Sequence, residues 1–385
     1  MMIPLIITLP LLAAYLVLIV RYHRAWNRGG RLSNRDVGAS DSPLPFLSVV
    51  IAARNEQDQI AACLESLSLQ EYPRSLYEVI VVDDHSTDRT WQVLGEIRHP
   101  GLQLRCLRLS DSPAEPVAGK AYKKRALETA IAHAVGELIV ATDADCTCPP
   151  GWLPSIGRFY QATGARFIAA PVRILAAHTP LGVFQTLDFI TLQGITAGAV
   201  SQGLHSMCNG ANLAYTKAAF EQVGGFRGID QIPSGDDMLL MHKIRQHYPD
   251  RVYFLQDARA MVSTGAQPGW RAFINQRVRW ASKAGHYDDK TLFPVLLLVY
   301  LTNLLLLADM ILAFFDHRAA GWFLLLLLVK TLVELPFVWS VAAFFSQQRL
   351  LIWFPFLQPL HIAYTVITGW LGRFGSYRWK ERKIQ

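Results

Sequence analysis

Charge is scarce in this chain. Asp, Glu, Lys and Arg make up only 17% of its 385 residues, while 51% are hydrophobic and mean hydropathy is +0.21. That balance argues against an ordinary soluble enzyme and points to a membrane fraction. Cysteine is scarce as well. The five present (63, 106, 146, 148 and 208) are odd in number and lack C-x-x-C spacing. This argues against a disulfide framework or a zinc site and fits a reducing cytosolic setting. There is no G-x-x-x-x-G-K-[ST] phosphate loop, internal repeat or low-complexity tract. Acids are missing where bases gather. Five Arg fall between Arg21 and Arg35 with no acid before Asp36, and residues 373–383 hold five bases and one acid. The net charge of +7 therefore sits beside apolar runs, which favours lipid headgroups over nucleic acid as the partner.

Residues 3–20 are uncharged and just long enough to span a bilayer. No base precedes them and no small-residue cleavage site is evident, so an uncleaved transmembrane helix is expected over residues 1–22. The Arg-rich flank, in a basic linker at 23–45, puts the chain beyond it in the cytosol. After Tyr287 the composition changes abruptly, with apolar runs at 292–315, 321–345 and 351–371. The first two read as spans. The third carries Pro355, Gln358, Pro359 and His361, and either spans or lies at the interface. Two or three C-terminal spans are thus expected over 291–372, and then a basic tail at 373–385. Lys330 and Glu334, four residues apart in mid-span, can pair on one helix face. Such a pair either packs against another helix or meets a polar acceptor.

Between these ends, β-branched runs alternate with helical patterns. Strands are expected at 47–53, 78–83, 102–109 and 137–142, with helices near 89–97 and 121–134; Asn55 is placed to cap a helix beginning near Glu56. Continuous apolar strands alternating with helices imply an α/β domain with a mostly parallel sheet covered on both faces. Ligands of such sheets bind at the carboxyl ends of the strands, where Asp83, Asp84, Asp143 and Asp145 fall. Carboxylates gathered there repel one another unless a cation joins them. Cys146 and Cys148 flank them, but soft thiolates are poor company for hard carboxylates at one metal.

Four motifs occur in fixed order: Val82-Asp83-Asp84, Asp143-Ala144-Asp145, Gly235-Asp236-Asp237 and Gln276-Arg277-Val278-Arg279-Trp280, with Ala53-Arg54-Asn55-Glu56 ahead of them. Together they resemble the catalytic domain of membrane-embedded family 2 glycosyltransferases, which have the GT-A nucleotide-sugar-binding fold. The family includes cellulose, hyaluronan and poly-N-acetylglucosamine synthases and ceramide glucosyltransferase. The resemblance covers about 240 residues plus the membrane layout: a cytosolic catalytic domain at 46–269, an amphipathic interfacial helix at 270–290, and apolar helices at both ends.

The resemblance implies roles residue by residue. Asp83 and Asp84 contact the uridine and ribose, as carboxylates suit base N–H groups and sugar hydroxyls. Here His85 stands where the family usually has Gly. Asp143 and Asp145 match the DxD motif that holds Mg²⁺ or Mn²⁺ against the donor's phosphates. Asp237 is the base that takes the acceptor hydroxyl's proton, with Asp236 positioning it; two acids opening a helix would also complement its dipole. Lys123 aligns with the lysine that approaches the phosphates, though Lys124 and Arg125 compete for that place. Ala53, Arg54 and Glu56 complete the donor side. In the last motif Gln276, Arg279 and Trp280 share a helix face. Arg279 forks onto phosphate, while Trp280 and Gln276 meet the acceptor. Asn209 and Gly210, in the loop Asn209-Gly210-Ala211-Asn212, match the acceptor-side loop loosely.

The expected activity is inverting transfer from a nucleotide-diphosphate sugar, a UDP-sugar first, to a lipid or saccharide acceptor at the cytosolic face of a bacterial inner or plasma membrane. The few spans favour a lipid-linked acceptor over a processive polysaccharide synthase, unless a homo-oligomer completes a channel. A membrane protein that binds the nucleotide-sugar without turnover is the remote alternative.

Overall fold

A computed structural model describes residues 2–29, 43–111, 122–176, 178–204, 207–232, 235–282, 291–375, 377–379 and 382–384. In chain order, the first half holds α1 (Met2–Gly29), β1 (Leu47–Ala53), α2 (Ile60–Ser68), β2 (Tyr77–Asp83), α3 (Thr90–Glu96), β3 (Leu104–Arg108), α4 (Tyr122–His133), β4 (Leu138–Ala141), β5 (Cys146–Thr147), α5 (Trp152–Thr163), β6 (Phe167–Ala169) and β7 (Val172–Leu175). The second half holds α6 (Pro180–Ser201), β8 (Leu213–Thr216), α7 (Lys217–Gln222), α8 (Met238–His247), β9 (Val252–Phe254), β10 (Val262–Gly265), α9 (Trp270–Ala281), α10 (Leu292–Leu312), α11 (His317–Phe344), α12 (Phe354–Phe374), β11 (Tyr377–Trp379) and β12 (Arg382–Ile384).

The chain divides into two compact units, one of Gly29–Leu175 and Ser206–Gly265, the other of Met1–Arg28, Ala176–His205 and Ala266–Gln385. The first is the α/β unit. Its seven-stranded sheet runs β3-β2-β1-β4-β8-β6-β9. Pairings β2/β3, β1/β2, β1/β4 and β6/β9 are parallel, while β8 runs antiparallel to both β4 and β6. The strands expected from the apolar runs at 47–53 and 78–83 match β1 and β2 closely. Val49, Val50 and Ile51 of β1, Val79 to Val82 of β2, and Leu138 to Val140 of β4 are wholly buried, as strands covered on both faces require. Because Ala53 pairs with Asp83 and Val50 with Ala141, the segments leaving β1, β2 and β4 emerge at one edge. A smaller sheet, β5-β10-β7, lies in the same unit.

The second unit gathers long apolar helices. Four segments, Ile7–Gly29, Leu292–Leu312, His317–Phe344 and Gln348–Phe374, are long and apolar enough to cross a membrane. The last contains the run whose spanning the sequence left open. Two differences from the sequence reading stand out. First, α1 continues to Gly29, through the start of the expected linker, because Arg, His, Ala and Trp sustain a helix until the Gly pair. Second, residues 176–205, expected inside an unbroken domain at 46–269, belong with the apolar helices. Their helix α6 is capped by the Thr179 hydroxyl, which accepts from Gly182 N at 3.0 Å. Gly194 lets it approach α11 closely: a Cβ there would stand 2.5 Å from Val341 Cγ2.

Candidate active site

Three turns at the common edge of β1, β2 and β4 build the site in the α/β unit. The turn after β1 is tied to the turn after β2. Asp84 N donates to Ala53 O at 2.7 Å, and Arg54 Nη1 donates to the carbonyls of Asp84 (2.7 Å) and His85 (2.9 Å). Glu56 N donates to Thr90 Oγ1. Asn55, expected to cap a helix near Glu56, does something else. It takes φ of +50°, and its Oδ1 accepts from Thr87 N at 2.8 Å; α2 starts later, at Ile60. Asn tolerates the left-handed region because its short amide can bond locally. His85 also sits at positive φ, +52°, so the turn that glycine usually makes in the family is made here by His. Its ring contacts Asp84 Oδ1 at 3.1 Å and lies edge-on to Tyr122.

Asp83 and Asp84 are almost wholly buried, at 4% and 1% exposure. Asp83 Oδ2 accepts from Ser86 N at 3.4 Å, yet among the described residues its Oδ1 has no hydrogen-bond partner. A buried carboxylate oxygen left this way is costly unless a ligand donor meets it.

The third turn, after β4, carries Asp143 and Asp145. Lys123 reaches Asp143 Oδ1 at 2.7 Å from α4 and also lies 3.1 Å from Asp236 Oδ2. Burial works to lower the ammonium's pKa, but Asp143 first, then Asp236 and Asp237, outweigh it and hold it above the ordinary lysine value. Lys123 therefore stays charged throughout the physiological range. Lys124, its rival in sequence, is buried and donates instead to the carbonyls of Ile229 (2.5 Å) and Ile232 (2.8 Å). Its role is to hold that loop.

Asp237 is the N-cap of α8, not a residue within it: its Oδ1 accepts from Met238 N at 2.7 Å. Its Oδ2 accepts a longer bond, 3.3 Å, from Gly210 N. A Cβ on Gly210 would stand 3.5 Å from Asp236 Oδ2 and 3.6 Å from Lys123 Nζ, so this glycine lines the same hollow as Lys123, Asp143 and Asp236. Its loop partners are spent on structure. Asn209 Oδ1 accepts from Ala211 N, and the wholly buried Asn212 donates to Pro171 O and Ala260 O while accepting from Trp152 Nε1.

Asp143, Asp145 and Cys146 bring potential ligand atoms within 4.8 Å of one another. Burial first, then Asp143 and Asp145, push the Cys146 thiol well above its ordinary pKa, and it donates to Asp145 Oδ1 at 3.5 Å. Two of these three groups are hard carboxylates and the third is a soft sulfur, poor company for them at one hard cation. The carboxylate pair fits a hard divalent cation.

The Gln276–Trp280 motif lies on α9, in the other unit. Arg279, Gln276 and Trp280 are all partly exposed there. The residue between them that sequence reasoning passed over is Arg277. It is 3% exposed and forks onto Asp188 Oδ2 of α6, through Nη2 at 2.6 Å and Nε at 3.0 Å. The available signal was Asp188, a lone charge in an otherwise uncharged 22-residue apolar helix.

Residues 138–370 match the family described as glycosyl transferase family group 2, and residues 48–224 match glycosyl transferase family 2. The chain is a family 2 glycosyltransferase. A β-monoglucosyldiacylglycerol synthase of Nostoc sp. is 39% identical over 118 residues, 31% of this chain and 24% of that protein. The synthase of the same description from Synechocystis sp. is 25% identical over 307 residues, 73% of this chain and 60% of that protein. The chain thus spans less than two thirds of the length of these relatives. Among solved structures, the mannosyltransferase PcManGT from Pyrobaculum calidifontis, in complex with GDP-Man and Mn²⁺, superposes with a TM-score of 0.58 at 19% identity. The likeness covers 95% of this chain and 97% of that one, and shows that the GT-A fold is shared.

Proposed function

We propose that this glycosyltransferase moves a sugar, with inversion, from a UDP-sugar to a lipid or lipid-linked acceptor at the cytosolic face of a bacterial membrane. One observation carries the reading: Lys123 joins Asp143 to Asp236, beside an Asp237 whose Oδ2 is held by Gly210 N. The two synthases it resembles make, by their names, β-monoglucosyldiacylglycerol, and four helices of this chain are candidate membrane spans.

The unsatisfied oxygen of Asp83 is suited to accept a donor proton from the base or ribose of the nucleotide. Lys123 offers a permanent positive charge to the diphosphate. Mg²⁺ or Mn²⁺, held by Asp143 and Asp145, would neutralise the nucleoside diphosphate as it leaves. Asp237 takes the proton of the acceptor hydroxyl as that oxygen attacks the anomeric carbon; the C–O bond to diphosphate breaks and its electron pair leaves with the nucleotide. Oδ2, to which Gly210 N donates the longer bond, is assigned as the oxygen that receives the proton. Arg279 is assigned to the departing phosphates, and Gln276 and Trp280 to the acceptor.

The test uses the purified full-length protein with a panel of radiolabelled UDP-sugars and bacterial membrane lipids, with and without Mg²⁺ or Mn²⁺. One donor should yield a discrete glycolipid that needs the metal. A ladder of polymer would replace this reading with a processive synthase, and donor binding without turnover would replace it with a binding protein.

A further inference from the structure

Arg277 does more than close a buried ion pair. Besides its fork onto Asp188, its Nη1 donates to Gln276 Oε1 at 3.0 Å, and its guanidinium carbon lies 4.1 Å from the centre of the Trp280 ring. The same guanidinium stands 4.7 Å from the Phe273 ring below it on α9. Asp188, which fixes the guanidinium, is itself buried and comes from α6, and the Tyr364 ring of α12 packs against Phe273 with ring centres 5.5 Å apart. One planar cation thus holds the side chains at two positions of the motif and is held in turn by α6. A lysine would keep the charge but could neither fork onto the carboxylate nor lie flat on the indole.

We propose that Arg277 and Asp188 are the positioning pair of the acceptor-side helix: they set the orientations of Gln276 and Trp280 and thereby the affinity for the acceptor. This rests on the reading that Gln276 and Trp280 meet the acceptor. A pair that served only to fasten α9 to α6 would bear on stability and leave acceptor affinity alone. A pair acting through Trp280 makes the effects of Arg277 and Trp280 on acceptor affinity depend on each other.

Asp188→Asn would strand a buried guanidinium and endanger folding, so the test uses Arg277→Lys. The second variant is Asp188→Glu, which keeps the charge and displaces the guanidinium. Acceptor KM, donor KM and kcat are measured for the wild type, Arg277→Lys, Asp188→Glu, Trp280→Phe and the Arg277→Lys/Trp280→Phe double variant, with a melt of each in detergent. Arg277→Lys and Asp188→Glu should each raise acceptor KM about tenfold, the scale of a desolvated cation–π contact plus one charged hydrogen bond, with donor KM little changed. The double variant should be hardly worse than the poorer single one, the signature of residues acting as a unit. Penalties that multiply, or a loss of stability with acceptor KM unmoved, would overturn the pair's role. Were Gln276→Ala and Trp280→Ala to leave acceptor KM unchanged, the acceptor reading itself would fall, and this inference with it. If those two raise it and Arg277→Lys does not, only the positioning role falls.

Discussion

At the scale of the residue, adjacent side chains of the same type are given opposite work. Lys123 faces three aspartates, whereas Lys124 turns away and binds two carbonyls of the 229–232 loop. Lys123→Ala should weaken UDP-sugar binding, read by calorimetry, and also lower the melting temperature, because its aspartates lose their counter-charge. Lys124→Met should leave donor binding intact while costing roughly 2–3 kcal/mol by leaving buried carbonyls unbonded. Asp237 likewise has two tasks, as proposed base and as N-cap, and two substitutions separate them. Asp237→Asn keeps the cap, since Asn caps as well as Asp, and should lower transfer by about 10²–10⁴ with donor binding intact. Asp237→Ala should lose about 1 kcal/mol of stability in addition. Unchanged transfer in the Asn variant would remove the base assignment.

The turns, taken as elements, show why motifs that look separate in sequence act together. The segments after β1 and β2 are stitched by backbone and side-chain bonds running from Ala53 to Thr90. Asp88 is central to this stitching. Its Oδ1 accepts from Thr90 N (2.9 Å) and Thr90 Oγ1 (2.6 Å), and its Oδ2 accepts from Gln57 N (3.2 Å). Burial alone would raise its pKa; the Thr90 bonds, then Gln57, outweigh that and hold the carboxyl below its usual value. The unfolded chain therefore binds this proton first, so the contribution to stability is present above pH about 4 and disappears as pH falls through the folded-state value. The melting advantage of the wild type over Asp88→Asn should be greatest near neutral pH and shrink below pH about 4. An advantage that grows in acid would contradict it.

For the molecule as a whole, the apolar unit contains a charged centre of its own. Lys330 Nζ lies 2.7 Å from Glu334 Oε1 and donates to Gln358 Oε1 at 2.7 Å, Gln358 Nε2 donates to Glu334 Oε2 at 2.5 Å, and the Tyr15 hydroxyl donates to Glu334. Residues from α1, α11 and α12 thus close one network, and the Lys–Glu pair expected from i,i+4 spacing is its core. Breaking one side strands a charge in an apolar setting. Lys330→Met should cost about 3–5 kcal/mol, seen as a lower melting temperature in detergent, and Lys330→Met/Glu334→Met should recover part of it. A double variant worse than the single would show that the pair is not what stabilises the bundle.

The strands, the order of the acidic motifs and the apolar ends were legible in the sequence because each is local: an unbroken β-branched run, a carboxylate just after it, an uncharged stretch of bilayer length. What the tertiary structure alone decided depends on contacts between residues far apart in the chain. Lys123 was chosen over Lys124 by which face of α4 meets Asp143 and Asp236. Residues 176–205 belong with the apolar helices, where Asp188 meets Arg277, 89 positions away. No local pattern in a sequence records such a pairing, since hydrogen bonds and burial are settled only when the chain brings its distant parts together.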